Sequence, residues 1–511
     1  MCMISTRPSP EDFIGNFNTD LAFKEHYAIQ GNYNGVLIWD ISDPANPVVV
    51  SEILCPASQS DVSGSAPVRP EEELPGCSAA FPDEDPESAL FRIEVIQVPL
   101  ANPELARIVS SPRIFDNLEA PPVHGHAPTE LALLEEARAR GGYIAMVNGT
   151  EREIRGGWLT NLLKEVASEN DRETPTAADS LQLRDELQKR IDVMMAARGR
   201  TGQHGPNQCH DITLFPETGL AGGACEGYGI LLDIRDPVHP VRLDAVADSN
   251  FAYWHSATFN NDGTVVVFTD DWGGGTQAKC RDSDPMEWGA NAIFTIENGK
   301  MVFQSYFKMP APQTHQENCV AHNGSLIPVP GRDIMVQGWY QGGVNIFDFT
   351  DPANPVEMAF HDRGPITSER LIVGGSWSIY WYNGLLVNSE IARGLDIFEM
   401  IPSEYITQNE IDAANTVVLH YFNPQGQPKF VWPASKPLVR AYLDQLERNR
   451  ELDMASITAM RSALTRAESL SGNRQSEALQ ALASEAETLA ARSGNARKVA
   501  EIARVLRELA G

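Results

Sequence analysis

The chain contains no run of about 18 apolar residues, which leaves no candidate for a membrane-spanning helix. Positive charge is scarce: 40 Lys and Arg stand against 69 Asp and Glu, for a formal net charge of −29. That balance argues against a nucleic-acid partner, whose phosphates demand a basic surface, and against docking on anionic lipid. Soluble partners and small ligands remain. Cysteine is sparse and odd in number, seven in 511 residues, which is too few for a disulfide scaffold. Cys209 with Cys225, and Cys280 with Cys319, fall where paired strands would bring them together, and each pair is either a disulfide or two buried thiols. The opening Met1-Cys-Met-Ile-Ser-Thr-Arg-Pro-Ser-Pro10 has no apolar segment followed by a small-residue cleavage site, so taken alone it reads as a cytoplasmic start. A phosphate loop, a nucleophile elbow and a dinucleotide fingerprint are also missing.

What is present is repetition. Val36-Leu-Ile-Trp-Asp-Ile-Ser-Asp-Pro-Ala-Asn-Pro47, Ile230-Leu-Leu-Asp-Ile-Arg-Asp-Pro-Val-His-Pro240 and Val344-Asn-Ile-Phe-Asp-Phe-Thr-Asp-Pro-Ala-Asn-Pro355 are nearly one phrase, an apolar strand followed by an Asp-Pro turn. Weaker copies start at Arg92, Ala292 and Gly394, making six. Successive copies lie about 50 to 60 residues apart once one long insertion is set aside, the length of a four-stranded propeller blade. Two shorter strands precede most copies, as in Ser256 to Phe259, the turn Asn261-Asp-Gly263, then Thr264 to Thr269. The expected fold is therefore mainly β, a β-propeller over residues 11–432 with blades ordered inner strand, second strand, Asp-Pro strand, outer strand. The stretch from Pro56 to Ser88 has no alternating apolar segment, so the copy at Ile93 lacks its inner strands and one blade is incomplete.

Two segments change character. From about 112 to 206 the spacing of Leu131 to Leu134, Trp158 to Leu163, and Leu181, Leu183, Leu187, Ile191 and Met194 is helical, and Thr176 with Asp179 resembles a capping box. This insertion sits either as a helical cap over the face where inner strands begin or as a loop packed on the rim. Beyond Leu438 glycine and aromatics thin out, and Leu, Ile and Val recur at helical spacing. Residues 438–511 are expected to form a bundle of three or four short helices, joined through Pro428 to Pro437.

Histidines recur at the starts of inner strands: Cys209-His-Asp-Ile-Thr213, Trp254-His-Ser-Ala-Thr258 and Ala321-His-Asn-Gly-Ser325. The same register holds Asp20, Asp61 and Trp377. Inner strands line a propeller's channel, so His210, His255 and His322 converge on one mouth. They are candidate ligands for a divalent metal such as Fe, Cu, Mn or Zn, with Asp20, Asp61 and Asp211 as additional ligands and an open position for water or oxygen. The alternative is that each imidazole hydrogen-bonds neighbouring backbone and knits the blades together. His124, His126 and His204 flank the insertion and are weaker candidates. Cys319 and His322 point to opposite faces of a strand and do not share a metal. Asp270-Asp-Trp-Gly-Gly-Gly275 offers carboxylates to calcium or makes a glycine-rich turn. Glu390 and Arg393 form a structural ion pair.

On these phrases, and on Phe251-Ala-Tyr-Trp-His-Ser-Ala-Thr-Phe259, Asn318-Cys-Val-Ala-His-Asn-Gly-Ser325 and the repeat at Gly342, the chain resembles the LVIVD-repeat proteins, bacterial β-propellers, from roughly Glu11 to Trp432. The resemblance implies seven blades, an extracytoplasmic setting (periplasm, cell surface or secreted) and a truncated start. It also implies a further Asp-Pro repeat and a Gly-Ser-His-Thr-His-Thr inner strand before the segment matching Gly64-Ser-Ala-Pro67; both are missing near Ser63, and with them the histidines that would complete a channel ring. The C-terminal helices loosely resemble bundles appended to secreted bacterial proteins.

Two functions stay open, because a propeller fold does not choose between them. One is a binding or interaction scaffold for a protein or small-molecule ligand. The other is a metal-dependent enzyme, oxidative or hydrolytic, using His210, His255 and His322 beneath the cap.

Overall fold

The computed structural model describes residues 1–55, 92–147, 149–197 and 209–511. It is mainly β, with eight α-helices among the described residues. Five antiparallel sheets carry the chain, three of them meanders in sequence order and two completed by a strand from elsewhere in the chain. The first holds Asn18–Lys24, Tyr27–Asn32, Gly35–Asp40 and Val48–Leu54. The second holds Asp211–Phe215, Leu220–Cys225, Tyr228–Asp233 and Val241–Val246, and the third Trp254–Phe259, Val265–Asp270, Asn291–Glu297 and Lys300–Phe307. Gly324–Ile327, Ile334–Gly338, Val344–Asp348 and Val356–His361 make the fourth. The fifth has Ser376–Tyr382, Leu385–Glu390 and Gly394–Glu399, and its fourth strand is Cys2–Arg7 from the other end of the chain. A boundary at Glu11 therefore omits a strand.

The repeated phrase folds the same way each time. Asp40, Asp233 and Asp348 end a third strand, and the carboxylate of each accepts the N–H two residues on, from Ser42, Arg235 and Thr350 at 2.9, 3.0 and 2.8 Å. Three residues later Asp43, Asp236 and Asp351 accept from Ala45, Val238 and Ala353 at 3.1, 3.0 and 3.1 Å. These are two successive turns closed by aspartate side chains, with proline presetting the backbone inside the second. Asn46, His239 and Asn354 then tie back to the same second aspartate at 2.9 to 3.0 Å. The phrase is scaffold chemistry.

Burial is lowest at the fourth strand of each sheet. Trp254–Phe259 and Ser376–Tyr382 are buried at every position, whereas Val48–Leu54 and Val356–His361 are mostly exposed or half-buried. First strands touch in series, second sheet to third, third to fourth, fourth to fifth and fifth to first. Between neighbouring sheets lie apolar cores: Phe347, Trp339, Ile379 and Trp381 between fourth and fifth, Phe259, Phe268 and Leu231 between second and third, and Phe23, Trp39 and Tyr380 between fifth and first. Each fully buried large side chain contributes roughly 1.5 to 3 kcal/mol.

The copy at Ile93 forms only Val95–Gln97 paired with Arg107–Ser110. Its expected loss of inner strands falls on residues 56–91, outside the described residues. A strap from the far end of the chain links the first and second sheets. Tyr421–Phe422 pairs with the first strand of the first sheet, and Leu214 of the second sheet then exchanges hydrogen bonds with Gln425 and Gln427 at 2.8 and 2.9 Å. The Gln427 amide continues to the backbone of Phe259 in the third sheet at 2.8 and 2.9 Å.

The insertion is not purely helical. Between helix α1 (Pro128–Ala139) and helices α2 (Gly156–Glu169) and α3 (Ala177–Ala197) stands a hairpin, Tyr143–Val147 with Thr150–Ile154. Its five-residue strands are too short to register against helical spacing in the flanks. The hairpin, α2 and α3 share a core of Val147, Ile154, Leu162, Leu183 and Ile191. At the start of α3, Asp179 accepts from the N–H and hydroxyl of Thr176 at 2.7 and 2.6 Å, as expected of a cap. After the sheets come α4 (Gln408–Ala414) and four helices, α5 (Lys436–Arg448), α6 (Met454–Glu468), α7 (Asn473–Ala490) and α8 (Ala496–Ala510), packed about Leu443, Ile457, Leu482 and Ile502.

One buried carboxyl makes stability depend on pH. Asp333, at the start of the second strand of the fourth sheet, has its carboxyl pushed up to about 6 by burial, opposed by a hydrogen bond from Asn260 and aided by the charges of Asp262 and Asp348. The native state therefore holds this proton more tightly than the unfolded chain does, so stability is full below about pH 4 and falls as pH rises through 6, by about 3 kcal/mol. Asp333→Asn is expected to narrow the difference between urea midpoints at pH 4 and pH 7. An unchanged difference would remove Asp333 from the account.

Candidate metal centre

Strand irregularities aim the site. In the third sheet the register slips between Trp254 and Ala257, so His255 sits in a bulge, and the first and fifth sheets slip between Asn18 and Leu21 and between Ser376 and Ser378, the positions of Asp20 and Trp377. A bulge re-aims the extra side chain away from the regular alternation. His210 and His322 instead precede their strands, held by main-chain bonds to Ala224 at 2.9 Å and Gly338 at 3.1 Å. Disulfides Cys209–Cys225 and Cys280–Cys319 anchor both approaches. Cys319 is thereby spent and shares no metal with His322.

The three imidazoles come together. Ring centroids of His210 and His255 are 3.8 Å apart, and those of His255 and His322 are 4.3 Å apart. His255 and His322 are 2% and 1% exposed, while the His210 side chain is 28% exposed and marks the accessible side. Asp211 joins His210 and His255, and Asp271 joins His255 and His322, in two groups whose candidate ligand atoms lie within 4.8 Å of one another. Around an ion with bonds near 2.0 to 2.2 Å, neighbouring ligand atoms are roughly 3 to 4 Å apart. Small side-chain movements would close either group.

Hydrogen bonding sets the tautomers. His210 Nδ1 meets the His255 carbonyl at 3.1 Å, and His322 Nδ1 meets the Trp377 carbonyl. A carbonyl only accepts, so both Nδ1 atoms carry the proton, which leaves Nε2 as the nitrogen that either ring could offer to a metal. The same bonds knit neighbouring sheets, as the second alternative drawn from the sequence expects, and they use one nitrogen of each ring. His255 differs. Its Nδ1 is buried without a partner, and its Nε2 lies 3.8 Å from Asp271 Oδ2.

Burial shapes the charges. It drives His322 down to about 3, and with His210 and His322 nearby it drives His255 well below its ordinary value, so both rings are neutral. It pushes Asp271 up to about 7 against the pull of His210 and a hydrogen bond from Tyr340. Neutral imidazoles beside a carboxyl stranded in low dielectric form a donor set that a divalent cation would relieve.

Asp20 does not join the cluster. Its carboxylate accepts from the Leu21 N–H at 2.8 Å and the Tyr380 hydroxyl at 2.5 Å, tying first sheet to fifth. Asp211 is close but also accepts from Gln425 of the strap at 3.0 Å. Asp61 and His204 lie outside the described residues. His124 stacks near Trp272, ring centroids 4.0 Å apart, and His126 lies 3.7 Å from Glu130; neither belongs to a group of ligands. Asp270 is a structural acceptor for the N–H groups of Ala252, Tyr253 and Gly289. Glu390 and Arg393 pair at 3.3 Å, and Glu390 also accepts from the Gly375 and Ala392 N–H groups at 3.0 and 2.9 Å, as a structural pair does.

Asp271 stands out only in space. In sequence it read as part of a calcium loop or turn, but Trp254 pairs with Asp270, which sets the end of the second strand beside the histidine register. Above the cluster, Ala127 from the insertion packs with Trp272, Trp288, Val320, Tyr340 and Trp377. Lys279 lies over both tryptophans, at 4.6 and 4.9 Å, and pairs with Glu130 of α1 at 2.9 Å. The start of the insertion thus packs against residues that border the histidine cluster.

No family model matches the chain, and no curated protein matches it. Among solved structures, a protein from Lactobacillus plantarum is similar at 12% identity and TM-score 0.25, over 40% of this chain and 59% of that one. The chain thus spans less than two thirds of that protein's length. The computationally designed protein Ika8 is similar at 10% identity and TM-score 0.26, over 75% of this chain and 71% of that one. Neither likeness carries weight for fold or function.

Proposed function

We propose that the chain is an extracytoplasmic β-propeller of the LVIVD-repeat kind that holds a divalent transition metal at its channel mouth and works as a metal-dependent enzyme. The sheets supply the support for a propeller: five antiparallel sheets, least buried at their fourth strands, with first strands touching in series. The two disulfides fit an oxidising compartment. No helix among the described residues is long and apolar enough to cross a membrane.

The observation that carries the metal reading is the group His255, Asp271 and His322, all buried, with a ring nitrogen and a carboxylate oxygen left without partners. Two imidazoles and one carboxylate leave coordination positions open, which favours a catalytic ion over a structural one and suits Fe(II) chemistry among the candidate metals. Such an ion would polarise a bound substrate or water. His210, on the accessible side, is placed to take a further position or to meet the incoming molecule. A metal-free binding scaffold is the competing function.

Titration of metal-stripped protein with Co(II), followed by visible absorption, tests the site. Saturation at one ion per chain is expected, weakened at least tenfold by His255→Ala. Absence of a visible band with wild-type protein would leave the scaffold.

A further inference from the structure

Tyr340 stands in the tight turn between the second and third strands of the fourth sheet, where the Gly343 N–H returns to its carbonyl at 2.9 Å. Its φ is +50°, a left-handed conformation that glycine or asparagine adopts readily and a bulky aromatic residue does not. The turn has no need of a tyrosine. Two glycines make room for it. A Cβ on Gly275 (φ +64°) would lie 2.1 Å from the Tyr340 ring, and a Cβ on Gly375 (φ +86°) would lie 2.0 Å from its main chain. Strained residues that their surroundings over-determine cluster at functional sites.

The side chain leads to the metal centre. The ring is 2% exposed and its centroid is 4.5 Å from that of His322. Its hydroxyl lies close enough to the Asp271 carboxylate for the two to interact, and Asp271 Oδ2 faces His255 Nε2 at 3.8 Å. Main-chain bonds between Tyr340 and Ser376, at 2.8 and 3.2 Å, brace the turn against the fifth sheet.

We propose that Tyr340 is a positioning residue of the metal centre: its hydroxyl holds the Asp271 carboxylate toward His255 and His322, an assignment that rests on the metal-site reading above. The phenol donates one hydrogen bond and so removes the rotational freedom that Asp271 would otherwise lose on binding an ion. Partners of this kind, one bond away from the ion, govern about 10- to 100-fold in metal affinity.

The test compares wild type, Tyr340→Phe, Tyr340→Gly, Asp271→Asn and the Tyr340→Phe/Asp271→Asn pair for Zn(II) affinity, by competition with a chromophoric chelator, alongside apo-protein thermal midpoints. Tyr340→Phe is expected to retain one ion per chain with Kd raised 10- to 100-fold, and to add little in the Asp271→Asn background. Tyr340→Gly, which relieves the backbone, is expected to weaken binding at least as much. A Tyr340→Phe Kd within about twofold of wild type, or an equal effect with and without Asp271, would overturn the proposal, since a merely structural tyrosine moves the midpoint and not this coupling. Wild-type protein that binds no Zn(II) would overturn the metal reading and this assignment with it.

Discussion

Glu410→Ala is expected to lower stability by about 3 to 5 kcal/mol, because it strips the partner from buried charge at the joint between the sheets and the helical bundle. Glu410, on α4, has no exposed side-chain surface. It accepts from Arg332 of the fourth sheet at 3.2 Å, from Arg448 of α5 at 2.6 and 2.8 Å, and from Gln445 of α5 at 3.0 Å. Burial alone would raise this carboxyl; the Arg448 hydrogen bonds and the Arg332 charge override it and leave it below its ordinary value. Its contribution is therefore present at neutral pH and lost as pH falls through the depressed value. In the alanine variant Arg332 keeps Asp348, but Arg448 retains only the Tyr405 carbonyl at 3.3 Å. Urea unfolding at pH 7 reads the loss, and Glu410→Gln, which keeps the volume, is expected to fall between. A change under about 1 kcal/mol would mean that the bundle is not held through this residue.

The repeated phrase was legible because its chemistry is local: each aspartate closes its own turn within two residues, so the third strands at Gly35, Tyr228 and Val344 could be placed from sequence alone. Register carried the histidines further. Knowing that His210, His255 and His322 stand at or just before the starts of first strands was enough to bring them together, because the first strands of neighbouring sheets touch in series. What stayed hidden depended on distant partners. Cys2–Arg7 is an unremarkable segment until it pairs with Gly394–Glu399, and the strap at Gln425 and Gln427 has meaning only beside Leu214 and Phe259. Asp20 shares the histidine register yet turns to Tyr380, a partner 360 residues away. Asp271 and Tyr340 enter the site from strand ends and a turn that the first-strand register does not index.

The histidine cluster has a bland explanation in part, since two of its rings bond neighbouring backbone. That explanation leaves His255 unaccounted for. A buried imidazole with a partnerless Nδ1, packed between two other imidazoles and facing a carboxyl that burial pushes up to about 7, is costly unless something binds there. A cation coordinated by a neutral imidazole and the carboxylate would offset part of that cost. An empty site would be expected to weaken this part of the core.

Metal content is the most direct measure. Protein purified without chelators, and the same protein carrying His210→Ala, His255→Ala and His322→Ala together, should be compared by inductively coupled plasma mass spectrometry after confirming that both are folded by circular dichroism. The account predicts about one Fe, Cu, Mn or Zn ion per wild-type chain, in keeping with one set of imidazole and carboxylate ligands, and its complete loss in the triple variant. Wild-type protein without stoichiometric metal, even after incubation with each of those ions, or a triple variant that retains it, would contradict the account.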